Sequence, residues 1–379
     1  MELIRPFALR SPRRSACEDW RDDSRVVERV GEIALIDEGE WLDQVHDRSC
    51  ASLLARRRWL GAWADAFSDW EPWVLALVDQ DDARGVAPLA RRRVRSGVQV
   101  VSVGHDALAE SPLAASDKAA AEDLATGIVA ALHSLGCPWT LCLCQLPIGS
   151  PLVDALVSQL STTTVFAGSP RPVLRFADDR PPRRWLTPNT VSAVAKARNR
   201  VSREGHRLEV DWLQRWEEIE GLLPELVAVH RARDVELRGA TLLDDVREAR
   251  FYHQVISRHA GHWRLMLVRI DESLAGYALC LQDGGTLRVW DNRVAPRWRR
   301  YSAGLIANTE LVVRAATDAS ICAVDWGCGE QRYKLSLSNE VIDAQVLKAW
   351  SSPALRAALA CRNRLAARRA RSRSAPAGA

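Results

Sequence analysis

The 379-residue sequence is as informative in what it lacks as in what it contains. It has nine cysteines but no CxxC pair, and no cysteine–histidine grouping has the spacing of zinc ligands, so neither a metal site nor a disulfide scaffold is expected. Most of these cysteines sit within apolar stretches, as small hydrophobes do. No uninterrupted apolar run reaches the roughly 18 residues that span a bilayer. The N-terminus lacks the apolar core of about 7–15 residues that a secretory signal requires. Together these absences lead to the expectation of a reduced, cytoplasmic protein. Tyrosine (4), phenylalanine (5) and methionine (2) are scarce, whereas tryptophan is plentiful at 15. That excess is either compositional drift or a pocket lined with indoles, and composition alone leaves both open.

Acidic residues are missing from one region altogether. Residues 351–379 carry seven arginines (356, 362, 364, 368, 369, 371 and 373) and no acid. Removing these from the net charge of +4 leaves −3 for the remainder, so a basic tail is indicated rather than a basic domain surface. Leu355–Leu365 is expected to form a short helix, and Arg371–Ala379 to be disordered. Hydrophobic residues make up 47% and charged residues 26%, which excludes global disorder and suits two domains with full cores.

Along the chain, residues 1–30 lack periodicity and are expected to form a flexible leader. A strand is predicted at Glu32–Ile36 and helical patterning over Glu40–Phe67. A meander follows, with turns at Asp81–Gly85 and Arg95–Gly97. Then come a loop (Gly104–Ser116), an alanine-rich helix (Asp117–Leu135), an apolar strand (Trp139–Leu146), a helix (Pro151–Leu160) and a strand (Thr164–Phe176). Arg180-Pro181-Pro182-Arg183 marks a boundary. Beyond it, Thr187 caps a helix that has Pro188 in its first turn and Gly205 as its stop. After a strand at Leu208–Leu213 and two helices, the meander recurs with turns at Asp271–Ser273 and Asp283–Gly285. The two halves thus share one element order, an architectural duplication without residue identity.

The stretch Trp290–Lys334 concentrates the chemistry. A strand leads into an arginine-dense loop, and Ser302-Ala303-Gly304 opens an amphipathic helix. A buried strand follows, ending on Asp325, Gly327 and Gly329, with Tyr333-Lys334 just beyond. Unpaired amides and partial positive charge at a helix N-terminus suit a phosphorylated ligand. The loop in the equivalent place of the first half, Gly104–Pro112, has no arginine and carries acids.

A meander, then Arg299-Arg300-Tyr301-Ser302-Ala303-Gly304, a helix and a splayed strand resemble the core of the GNAT acyltransferases. Three segments in order make the likeness closest to CelD-like, FemAB-type tandem proteins. They are Thr190-Val191 with Lys196–Val201; Val229-His230-Arg231-Ala232-Arg233; and Tyr301–Gly304 with Asp325, Gly327, Gly329, Tyr333 and Lys334. The resemblance covers residues 31–350. In this pattern Ser302 replaces a glycine, and Asp234 stands where an aromatic is usual.

The resemblance implies an α/β fold (α+β, mixed sheets) of two tandem GNAT-like domains, each a mostly antiparallel meander plus a splayed parallel pair flanked by helices. It divides the chain into a leader (1–30), a degenerate copy (31–178), a catalytic copy (179–352) and the basic tail (353–379). It further implies an acetyltransferase-like enzyme with acetyl-CoA or another acyl-CoA as co-substrate, no permanently bound cofactor and no metal. The partner is a small-molecule acceptor, an amine of a small metabolite, amino sugar or amino acid; a tRNA contact belongs only to the alternative of aminoacyl transfer. A second alternative is a non-catalytic binding member of a polysaccharide-assembly system. The donor would be held by Asn292, Val294, Arg297, Arg299, Arg300, Tyr301, Ser302, Ala303 and Gly304. His230, Asp325 and Glu310 are candidate general bases. Tyr333 is the candidate acid for the leaving thiolate, and Lys334 a charge partner for a phosphate or carboxylate. If Tyr333 and Lys334 lie on a strand, their side chains diverge.

Overall fold

A computed structural model describes residues 29–33, 53, 56–79, 82–104, 111–177 and 181–374. The predicted leader before residue 29, the helical patterning before residue 53, most of the acidic loop Gly104–Pro112 and the last five residues lie outside them.

The first half contributes β1 (Arg29–Ile33), α1 (Arg57–Ala66), the meander β2 (Glu71–Asp79), β3 (Asp82–Val94) and β4 (Gly97–Ser102), the short β5 (Ala114–Ala115), α2 (Lys118–Ser134), β6 (Trp139–Pro147), α3 (Pro151–Gln159), β7 (Thr163–Ala167) and β8 (Arg171–Arg175). The second half supplies α4 (Pro188–Arg203), β9 (Leu208–Leu213), α5 (Trp216–Arg238) and α6 (Val246–Arg258). Its meander is β10 (Trp263–Ile270), β11 (Ser273–Asp283) and β12 (Thr286–Val294), followed by α7 (Ala303–Ala315), β13 (Ala323–Asp325), α8 (Arg332–Ser336), β14 (Glu340–Ile342), β15 (Ala344–Trp350) and α9 (Pro353–Ser374). The helix caps follow the sequence: Thr187 accepts a bond from the Thr190 amide, and Asp117 one from Ala120.

Two mixed sheets form, with the strand orders β1-β2-β3-β4-β6-β15-β7 and β9-β10-β11-β12-β13-β8-β14; β5 adds to β3 in the first. Each has four antiparallel strands, one parallel neighbour and two further antiparallel strands. The mixed α/β class and the duplicated order therefore match the expectation.

The exchange between halves was not predicted. The sixth strand of each sheet comes from the other half of the chain: β8 pairs with β13, and β15 pairs with β6. The continuous strand expected over Thr164–Phe176 is accordingly two strands in different sheets, and so is Val341–Trp350. The break falls at Gly168-Ser169-Pro170. Proline has no N–H for a ladder, and a Cβ on Gly168 would lie 2.7 Å from the Gln145 side-chain oxygen. The tail also differs, since α9 runs well past Leu365, through Arg371 to Ser374.

A buried ion cluster fastens the exchanged strand. Asp325, at the end of β13 and 2% exposed, receives hydrogen bonds from Arg171 of β8 at 2.9 Å, Arg288 of β12 at 2.8 Å and the Gly327 amide at 2.9 Å. The parallel pairing of β12 with β13 covers only Thr286–Arg288 against Ala323–Asp325, so the strands part at this cluster. Removing the shared carboxylate leaves two largely buried guanidiniums facing each other. Asp325→Asn should therefore cost about 3 kcal/mol in urea unfolding; an unchanged midpoint would show that the cluster does not hold the strands.

Candidate functional site

Where β12 leaves β13, a cleft of about 510 Å³ opens. A bulge at Trp290, between the rungs Leu279–Asp291 and Cys280–Val289, re-aims the rest of β12. The Ala295 amide bonds to Ala275 of β11. Strand alternation then turns the amides of Asn292 and Val294 away from β11, toward the side where β13 has departed. Both residues line the cleft.

The opposite lip is the N-terminus of α7. A short 3₁₀ turn, Pro296–Tyr301, runs into Ser302, whose backbone is left-handed (φ 56°, ψ 36°). The position thus has the conformation that glycine favours, and serine adopts it at a steric cost. In the first turn of α7 the Leu305 amide bonds the Ser302 carbonyl at 2.9 Å, while the amides of Ala303 and Gly304 have no helical carbonyl to bond. Gly304 lets the helix lie against β12: a Cβ there would come within 2.5 Å of Val294 Cγ2.

Five cationic side chains line this cleft, Arg233, Arg238, Arg293, Arg299 and Lys334, against the single carboxylate of Asp234. Tyr333 and Lys334 do face it together, but from the helical turn α8 and not from a strand. Lys334 is 9% exposed and donates from Nζ to the Cys328 carbonyl at 2.6 Å; its burial lowers the ammonium pKa. Burial also raises the Tyr333 hydroxyl, keeping it protonated near neutrality.

Other sequence candidates lie elsewhere. Arg300 turns to Glu204, the residue that caps the C-terminus of α4, at 2.6 Å, and the Tyr301 hydroxyl donates to the same carboxylate at 2.6 Å. Arg297 stacks over Trp298, Ala303 is fully buried, and Glu310 accepts from Arg198 at 2.7 Å. None of these residues, nor Asp325, is among those lining the cleft.

His230 sits just behind the cleft in a buried network. Its Nδ1 is 2.9 Å from Asp291 Oδ2, and its Nε2 is 3.3 Å from both Asp234 Oδ2 and Arg293 Nη2. Asp291 also accepts from the hydroxyls of Tyr277 at 2.6 Å and Tyr252 at 3.0 Å. Burial by itself would raise the Asp291 carboxyl, but His230, Arg293 and Tyr277 outweigh it and hold it below the usual value. Burial pushes both tyrosines well up. The sequence reading passed over Asp291 and Arg293 as side chains and treated Asp234 only as a missing aromatic. The spacing of His230, Asp234, Leu237 and Arg238 on one face of α5 was the available signal.

Residues 189–335 match the family model described as the acetyltransferase (GNAT) domain, so the second half of the chain carries a GNAT acyltransferase domain. Among solved structures the chain is similar to FemX, with 10% identity, 84% of this chain and 96% of that one covered, and a TM-score of 0.58. It is likewise similar to a conserved protein of unknown function from Bacteroides thetaiotaomicron (10% identity, 85% and 99% covered, TM-score 0.53). A third is L-PGS from Bacillus licheniformis (11%, 86% and 96%, TM-score 0.50). At such identities the likeness is one of fold. No curated protein matches the sequence. The chain thus carries a GNAT acetyltransferase domain at residues 189–335, within an overall fold like that of FemX.

Two expectations follow. Ser302→Val should be less stable than Ser302→Gly by about 1–2 kcal/mol, because a β-branched residue tolerates the left-handed backbone worst; thermal unfolding of the pair reads it directly. Asp291 has a depressed folded-state pKa, so the native state binds fewer protons than the unfolded one just below the ordinary carboxylate range. Its stabilisation is present above that range and lost as the pH falls through the depressed value. Urea midpoints from about pH 6 down to about pH 3 should fall more steeply for the parent protein than for Asp291→Asn.

Proposed function

We propose that this protein is an N-acyltransferase that moves an acyl group, an acetyl group in the simplest case, from acyl-CoA to an amine of a small metabolite. The observation that carries this reading is the cleft, which five cations and the N-terminus of α7 line beside the edge of β12. Such a surface suits the pyrophosphate of a CoA thioester, and the residues present fit it. In this reading Arg299, Arg233 and Arg238 meet phosphate oxygens with the amide of Gly304, and the catalytic copy lies within residues 179–352. The CelD-like resemblance and a cytoplasmic location accord with a CoA-dependent enzyme.

The chemistry follows from the positions. The amine nitrogen adds to the thioester carbonyl; a C–N bond forms and the C–S bond breaks. The Asn292 and Val294 amides meet the oxyanion. One amine proton passes to His230, set by Asp234 and Asp291, and the thiolate takes a proton from Tyr333. Lys334 adds positive charge beside the leaving group. Asp325, saturated by two guanidiniums and an amide, serves as the clamp that keeps the cleft open. FemAB-like aminoacyl transfer is the second reading, favoured by the fold likeness to FemX and by the arginine-rich α9.

Acetyl-CoA at 100 times its dissociation constant should stabilise the protein by about 2.7 kcal/mol in thermal shift. Arg299→Ala combined with Arg238→Ala should remove most of that affinity, whereas Arg300→Ala should change it little. No shift with acetyl-CoA or a long-chain acyl-CoA, together with binding of aminoacyl-tRNA that weakens steeply with salt, would transfer the case to the second reading.

A further inference from the structure

A second cavity, of about 570 Å³, lies on the far side of His230 from the cationic cleft. Its walls come from both halves of the chain. The first half brings Trp63, Phe67 and Trp70, and the second brings Phe251, Tyr252 and Trp290. Here a share of the excess tryptophan is concentrated. Arg293 lines this cavity and the cationic cleft alike, while Asp234 lines only the cleft and His230 only this cavity. The Asp234–His230–Arg293 group is therefore the partition between two spaces of similar size.

We propose that this cavity is the acceptor site, and that its ligand is a primary amine carried on an aromatic body. The assignment rests on the acyl-transfer reading of the neighbouring cleft and deepens it. The argument for an aromatic body is that most polar groups of the cavity are already committed to protein partners, the buried Trp290 indole N–H and Arg293 Nε being the ones without a hydrogen bond. Arg92 bonds Gln99 at 2.8 Å and Asp69 at 3.1 Å, with its guanidinium over Trp70 at 4.2 Å. Arg247 pairs with Asp245 at 2.9 Å and Asp69 at 3.6 Å. The Tyr252 hydroxyl and His230 Nδ1 face the Asp291 carboxylate. A polyhydroxylated sugar would have to break these pairs to satisfy its own hydroxyls. An aromatic ring needs only ring faces and edges, and the cavity offers those from both halves. Its amine then reaches the partition, where His230 takes one proton as the new C–N bond forms and the C–S bond of the thioester breaks. Trp63 and Phe67 are stacked at 5.3 Å, and α1 is anchored to α6 through Trp59 against Phe251, so the first-half wall is fixed in place.

Titration calorimetry of the full chain with tryptamine and with glucosamine, each without and with CoA, tests this. Tryptamine is expected to bind and glucosamine not to. Trp70→Ala and, because Trp70 is largely buried, the 60%-exposed Leu242→Arg at the cavity rim should each weaken tryptamine by about tenfold. Both should leave CoA affinity within about twofold. Tryptamine binding no tighter than glucosamine, or unaltered in both variants, overturns the proposal. Failure of CoA alone to bind would overturn the acyl-CoA reading, and the amine titrations would still decide the nature of the cavity.

Discussion

The structure depends on one buried carboxylate. Asp325 collects two guanidiniums and an amide where β12 and β13 last touch, and one of its arginines comes from a strand that belongs by chain order to the other half. A charge so enclosed is tolerable only when fully paired, so three strands are held in register at that rung. Beyond it nothing pairs the two parallel strands among the described residues, and the cleft is the space that results. Continuing the ladder would erase the cleft; loosening the clamp would let its walls drift.

The second constraint is the network around Asp291. Two tyrosines, a histidine and an arginine converge on a carboxylate at the core of the second half, and this fixes His230 between two cavities. Buried polar networks of this kind are stabilising when every member is satisfied, and they hold side-chain geometry closely. The same network divides cationic space from aromatic space to which the first half contributes a wall. Comparison of the two loops by sequence makes the first half look like a copy without phosphate-binding charge; in three dimensions it also supplies cavity wall.

What was legible in the sequence was local. Capping residues, turn dipeptides and alternation placed the helices and both meanders, because each depends on neighbours a few residues apart. The arginine loop running into Ser302-Ala303-Gly304 announced the start of a helix, which the structure begins at Ala303. The errors were of another kind. Thr164–Phe176 reads as one strand, because alternation continues across Gly168–Pro170 and does not say to which sheet each piece belongs. Arg299 and Arg300 are indistinguishable neighbours, yet one lines the cleft and the other pairs with Glu204.

By itself, then, the sequence determined the element types, the duplicated order and the arginine-dense loop that opens a helix in the second half. Only the tertiary structure decided that the halves exchange strands, that Asp325 is fully engaged as a clamp, and that His230 stands between Asp291 and Asp234. It also placed Trp63, Phe67 and Trp70 opposite Trp290, across more than 200 residues of chain. The reason is physical: periodicity and capping are set by adjacent residues, whereas the partner of a buried charge is chosen by which backbone segments arrive beside it.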